Sequence, residues 1–67
     1  MPEAHITPRE KEVLKWMADG KTAWEIAGIL TLSEHTIRNH IKNVRRKLHA
    51  DNSIHLMATA FRHHIIT

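Results

Sequence analysis

Residues 33–48, SEHTIRNHIKNVRRKL, constrain this chain more than any other stretch. On a helix turning about 100° per residue, Ile37, Ile41, Val44 and Leu48 fall on one narrow stripe, the repeat of a face packed against a core. His35, Arg38, Asn39, Lys42, Asn43 and Arg46 fall on the opposite face. Five of the chain's ten Lys and Arg residues lie within 38–47, and no Asp or Glu occurs from 35 to 50. A helix anchored on one side and cationic on the other wants a polyanion. Its side chains also suit base edges, since Arg forks onto guanine and Asn onto adenine in a major groove. The stretch reads as a DNA-recognition helix.

The rest of the chain supplies short helices to support it. After a lead-in over residues 1–6, Thr7-Pro8-Arg9-Glu10 combines a capping Thr, a Pro suited to the first helical position and a Glu at the reciprocal position of a capping box. Val13, Leu14, Trp16 and Met17 share one side of the helix that follows, and Asp19-Gly20 stops it. Thr22 and Glu25 repeat the capping-box spacing and open a second helix with Ala23, Ile26, Ala27 and Leu30 inward. Thr31-Leu32 then joins it to the Ser33 cap, with Leu32 plugging the core. Two helices so closely linked, the second basic on its free face, make a helix-turn-helix. Gly28 reads as a tolerated glycine on an exposed face, and Trp24 as a partly exposed side chain off the inner stripe.

Beyond Leu48, residues 49–52 read as a turn and Ser53 as the cap of a fourth helix, whose inner side is Ile54, Met57, Ala58, Phe61 and Ile65. Leu56 and Ala60 then point elsewhere, as a small partner surface. The expected architecture is all-α: a single domain over residues 1–67 with four helices at about 7–19, 22–30, 33–48 and 53–63.

Several function classes fall away. There is no cysteine, so disulfides and thiolate metal sites are excluded. Neither a membrane-spanning apolar run nor a signal-peptide pattern is present. None of the seven histidines has a second histidine at i,i+4, so no zinc site is expected. His40 reads as packing or bonding the turn. Activated-nucleophile and phosphate-cradling glycine motifs are absent, so the chain is read as neither an enzyme nor a cofactor carrier.

The motif pieces Thr7-Pro8-Arg9-Glu10, Glu12-Val13-Leu14, Gly20-Lys21-Thr22, Glu25-Ile26-Ala27, Ser33, Thr36-Ile37, His40 and Lys47-Leu48 resemble the LuxR-type helix-turn-helix of bacterial transcription regulators. The resemblance covers nearly the whole chain. Trp16 and the run from Gly20 to Ile26 are more similar to regulators with an acyl-homoserine-lactone sensing domain than to phosphorylated response regulators. It implies a four-helix domain whose third helix enters the major groove and whose fourth mediates dimerisation. By position it assigns Arg38, Asn39 and Lys42 to bases, and Thr22, Ser33, Thr36 and His40 to the DNA backbone or the support of the turn. Two departures stand out: Ser53 where an Arg is common, and His64 where a Gly usually closes the fourth helix.

Arg46 and Lys47, near the far end of the third helix, are expected on phosphates, and Leu56 and Ala60 in the dimer contact. The expected partners are double-stranded DNA, a second copy in a weak, DNA-assisted homodimer, and RNA polymerase, in the bacterial cytoplasm at the nucleoid. The competing reading is an interaction module that pairs with a full-length regulator and blocks it. Retention of Arg38 and Lys42 favours DNA binding, since a pure decoy needs no reading face.

Overall fold

Each helix begins where a side chain can take over an amide that the helix cannot bond. The computed structural model describes residues 5–66, so the first four residues of the lead-in lie outside it. Four helices follow in order: α1 (Pro8–Ala18), α2 (Ala23–Leu30), α3 (Glu34–Lys47) and α4 (Ser53–Arg62). Both expected capping boxes form. Thr7 Oγ1 accepts from Glu10 N at 3.1 Å while Glu10 accepts from Thr7 N at 3.0 Å; Thr22 and Glu25 do the same for α2. Ser33 caps α3 by accepting from Thr36 N at 3.0 Å. The cap of α4 is Asn52 rather than Ser53, its side-chain oxygen accepting from His55 N at 2.8 Å.

The helices also stop in one common way. Gly20, Thr31, His49 and His64 all have positive φ, at 86°, 58°, 54° and 59°. After each, the next amide donates back five residues: Lys21 to Trp16, Leu32 to Ala27, Ala50 to Arg45 and Ile65 to Ala60, at 2.9 to 3.0 Å. This is the left-handed closure that satisfies orphan carbonyls at a helix end. Only the first uses glycine.

The core has two lobes with α1 and α3 shared between them. Val13, Ile26, Ala27 and Ile37 form one, closed by Trp16, Leu30 and Leu32. Leu14, Val44, Ala50, Leu56, Ala60 and Ile66 form the other. Met17 and Ile41 touch both. Gly28 is exposed, with open space where a Cβ would sit.

The fourth helix is rotated from its expected phase. Leu56 and Ala60, assigned to a docking surface, are both 0% exposed in the core, whereas Ile54 is 83% and Phe61 45% exposed. The inner face is Leu56, Thr59 and Ala60. The expected stripe ran through Ile65 as if the helix continued, but α4 ends at Arg62. The left-handed residue His64 then turns the chain, so that Ile66 reaches the core by another path.

Candidate nucleic-acid interface

α3 is held as a rigid rod because Ile37 and Val44 are buried in different lobes of the core. Its far side faces solvent along about three turns: His35, Asn39, Lys42 and Arg46 are all exposed. Arg38 lies on the flank of this row and is paired with Glu34 one turn earlier, Nε donating to Oε2 at 3.0 Å. That bond occupies one edge of the guanidinium and leaves its Nη1 donors free. Asn39 and the His35 ring nitrogen are 3.3 Å apart. Lys42 and Arg46 have no ion pair or hydrogen bond among the described residues. Glu34 is the only acid on α3, and it sits in the first turn. The outer face is therefore two free cations and one oriented arginine, interleaved with amides.

The residues expected near the backbone divide. Thr22 and Ser33 stand at the N-termini of α2 and α3, where free amides and the helix dipole favour an anion. Ser33 Oγ donates to Thr36 Oγ1 at 2.8 Å, so these two hydroxyls form one unit at the start of α3. The Glu25 carboxyl that completes the Thr22 box lies below the usual carboxylate range, chiefly because it accepts the Thr22 backbone amide. His40 is half-buried on the other flank of α3.

Lys47 departs from expectation. Its Nζ donates to Glu10 Oε1 at 2.8 Å, to Glu10 Oε2 at 3.0 Å and to the His5 carbonyl at 2.9 Å. An ammonium has three donors. All are engaged inside the domain, so the assignment of Lys47 to a phosphate is replaced by a structural one: it ties the end of α3 to the start of α1. On the helical wheel Lys47 lies near 180° from Arg38, which points it away from the reading row.

One basic residue that the sequence reading left without a role stands beside these side chains. Arg45 is half-buried on the flank that carries Arg38, and with Arg38 and Lys42 it lines a cleft reaching to Thr22. Its i+7 spacing from Arg38 and i+3 spacing from Lys42 is the signal that places it in their row. On the opposite side of α2, Trp24 is 73% exposed. Among the described residues no His, Cys, Asp or Glu cluster of three could hold a metal, and no helix is long and apolar enough to cross a membrane.

Residues 4–60 match the family described as bacterial regulatory proteins, luxR family. The chain is 46% identical over 65 residues to the transcriptional activator protein BjaR1 of Bradyrhizobium diazoefficiens, covering 97% of this chain and 27% of that protein. It is 49% identical over 55 residues to the HTH-type quorum sensing-dependent transcriptional regulator RpaR of Rhodopseudomonas palustris, covering 82% of this chain and 23% of that protein. In three dimensions it is similar to the crystal structure of Escherichia coli SdiA, with a TM-score of 0.88 and 42% identity over all of this chain and 28% of that one. The chain thus spans about a quarter of the length of these relatives.

Proposed function

Because the chain belongs to the luxR family of bacterial regulatory proteins, DNA-binding transcription regulators and not enzymes, we propose that it reads double-stranded DNA by placing α3 in the major groove. The observation that carries this reading is the outer row of α3. Lys42 and Arg46 are exposed and unpaired among the described residues, Asn39 is exposed about one turn before Lys42, and no acid follows Glu34 on the helix. Lys42 and Asn39 would face base edges with Arg38, whose pairing with Glu34 leaves guanidinium donors suited to guanine O6 and N7. Arg46 would serve phosphates. Thr22, Ser33 and Thr36 stand where the backbone would pass, and the half-buried His40 supports the turn.

A second copy would pair through α4, and its surface is the outward stripe of Ile54, Ala58 and Phe61 rather than Leu56 and Ala60. Pairing about a two-fold axis on a palindromic site would follow. The domain would be the effector part of a regulator that answers a quorum signal, with RNA polymerase as a further partner at the promoter. The blocking-module alternative gains no support from the structure of α3, since it leaves the free cations without a task.

Selection of bound duplexes from a random pool, followed by Arg38→Ala at the recovered site, tests the reading. The substitution should weaken that site by about 1 to 3 kcal/mol and relax preference at one base pair. Arg46→Ala should weaken all sequences alike. Unchanged preference in Arg38→Ala with the fold intact would take Arg38 out of the reading row, and recovery of no sequence at all would sink the proposal.

A further inference from the structure

Arg38, Lys42 and Arg45 follow one another at i, i+4 and i+7, so they form a single row along one flank of α3. The row faces the turn into α2 and the start of α4, and with Lys21 it places four cations around one cleft. Thr22 and Ser53 contribute hydroxyls to its rim, and Met17 and Ile41 lie at its apolar base. No carboxylate lines it among the described residues. The first residues of α2 and α4 form two of its walls and add the partial positive charge of helix N-termini. Among the described residues, only Arg38 of the four cations has a carboxylate partner, Glu34.

Arg45 is the member that asks for a ligand. Its Nη2 donates to the Asp51 carbonyl, which fixes the guanidinium against the α3–α4 turn. Its Nε is buried with no hydrogen-bond partner. Folded proteins leave few buried donors unpaired, and an acceptor arriving with a ligand is one way they are satisfied. A charged group placed among three other cations is best completed by an anion.

We infer that this cleft seats one phosphate of the DNA backbone, with Arg45 and Lys21 as its principal ligands and the Ser53 hydroxyl as an additional donor. This rests on the DNA-binding reading above. The source of the phosphate follows from continuity: the cleft shares Arg38 and Lys42 with the reading row, so a duplex whose groove receives those side chains carries its backbone across the cleft. Ser53 lines the cleft together with Arg45 and brings only a short hydroxyl side chain to it. Arg45 thus supplies from α3 a guanidinium at the α4 edge of the interface.

The test uses the 67-residue chain, duplexes recovered by the selection above, and methylphosphonate substitution that neutralises one phosphate at a time. In the unaltered protein one neutralised phosphate at the groove edge should weaken binding. In Arg45→Met, which keeps an unbranched apolar stem at that position, that penalty should vanish. Binding should weaken for every sequence alike, and the slope of log affinity against log salt should fall by about 1. Lys21→Gln, on an exposed turn outside the core, should do the same and guards against loss of fold in Arg45→Met. An unchanged salt slope and methylphosphonate profile in both variants would overturn the assignment. So would saturable amide shifts at Lys21, Ala23 and Ser53 on titrating inorganic phosphate alone, with no methylphosphonate effect on duplex binding, because the cleft would then serve a free anion. Absence of duplex binding by the unaltered protein would instead remove the DNA reading itself.

Discussion

Glu10 does two jobs with one carboxylate: it closes the cap of α1 and holds Lys47 from the far end of α3. Burial pushes this carboxyl up, but the hydrogen bond from Lys47, the Thr7 amide and the Lys47 charge together outweigh it, leaving it below its ordinary 4.5. A depressed carboxyl stabilises the fold fully above the unfolded value. As pH falls below about 4.5 the unfolded chain takes up the proton first, and the contribution is lost through the lower folded value. Glu10→Gln should therefore cost about 1 to 3 kcal/mol at neutral pH, with a difference that shrinks on acidification. Urea unfolding of both proteins at pH 7, 4 and 3 checks this, and a difference that does not depend on pH would contradict it. A second residue-scale prediction comes from Thr31. A β-branched side chain at φ 58° is strained where glycine is not. Thr31→Gly should raise stability by about 1 kcal/mol, or roughly 4 to 8 °C in melting temperature. His49→Gly should help less, because histidine is not β-branched. Destabilisation by Thr31→Gly in a melting scan would mean that the threonine side chain does more than occupy the turn.

At the scale of single elements, α4 offers the sharpest contrast between two neighbouring apolar positions. Leu56→Ala should cost about 2 to 5 kcal/mol, because it empties a fully buried site between α4 and the second lobe of the core. Ile54→Asp, two residues earlier, should leave stability within about 0.5 kcal/mol yet abolish pairing on palindromic DNA. Equal melting loss in the two variants would invalidate the observed rotation of the helix. The first three helices were legible because each carries an unambiguous start, Thr7 with Glu10, Thr22 with Glu25, and Ser33. Each also has an inner stripe of large apolar residues. α4 lacked both signals. Asp51, Asn52 and Ser53 are three successive residues able to cap, and Asn52 is the one that leaves Leu56 facing inward with its amide on the Asn52 carbonyl. The inner face is small and partly polar, with Thr59 buried beside Ala60, while Ile54 and Phe61, large and apolar, stand outside. Periodicity alone therefore favoured the wrong side. In the candidate interface the same limit applied to Lys47 and Arg45. Charge marked both as cations, but only three-dimensional placement showed that one is spent within the fold and the other opens on a cleft.

For the molecule as a whole, a Cα radius of gyration of 11.0 Å is what about 67 closely packed residues should give. Met17 and Ile41 join the two lobes, so α3 is at once the proposed reading element and the central support. Such a helix cannot shift without disturbing the core, and DNA should be bound with little change in backbone. The exposed α4 stripe is small, and association costs several kcal/mol before contacts register. We therefore expect a monomer in dilute solution that pairs on two half-sites set about 34 Å apart. Sedimentation of the free protein and titration of whole and half sites test this. Equal affinity per half-site on both duplexes would refute pairing. Lys47 finally gives the domain a mechanical asymmetry. Its ammonium clasps the His5 carbonyl from 42 positions away. A pull or twist applied to the chain just before α1 is thus delivered to the foot of α3 directly, without passing along α1. A single side chain there ties the backbone at His5 to the end of the helix proposed to enter the groove.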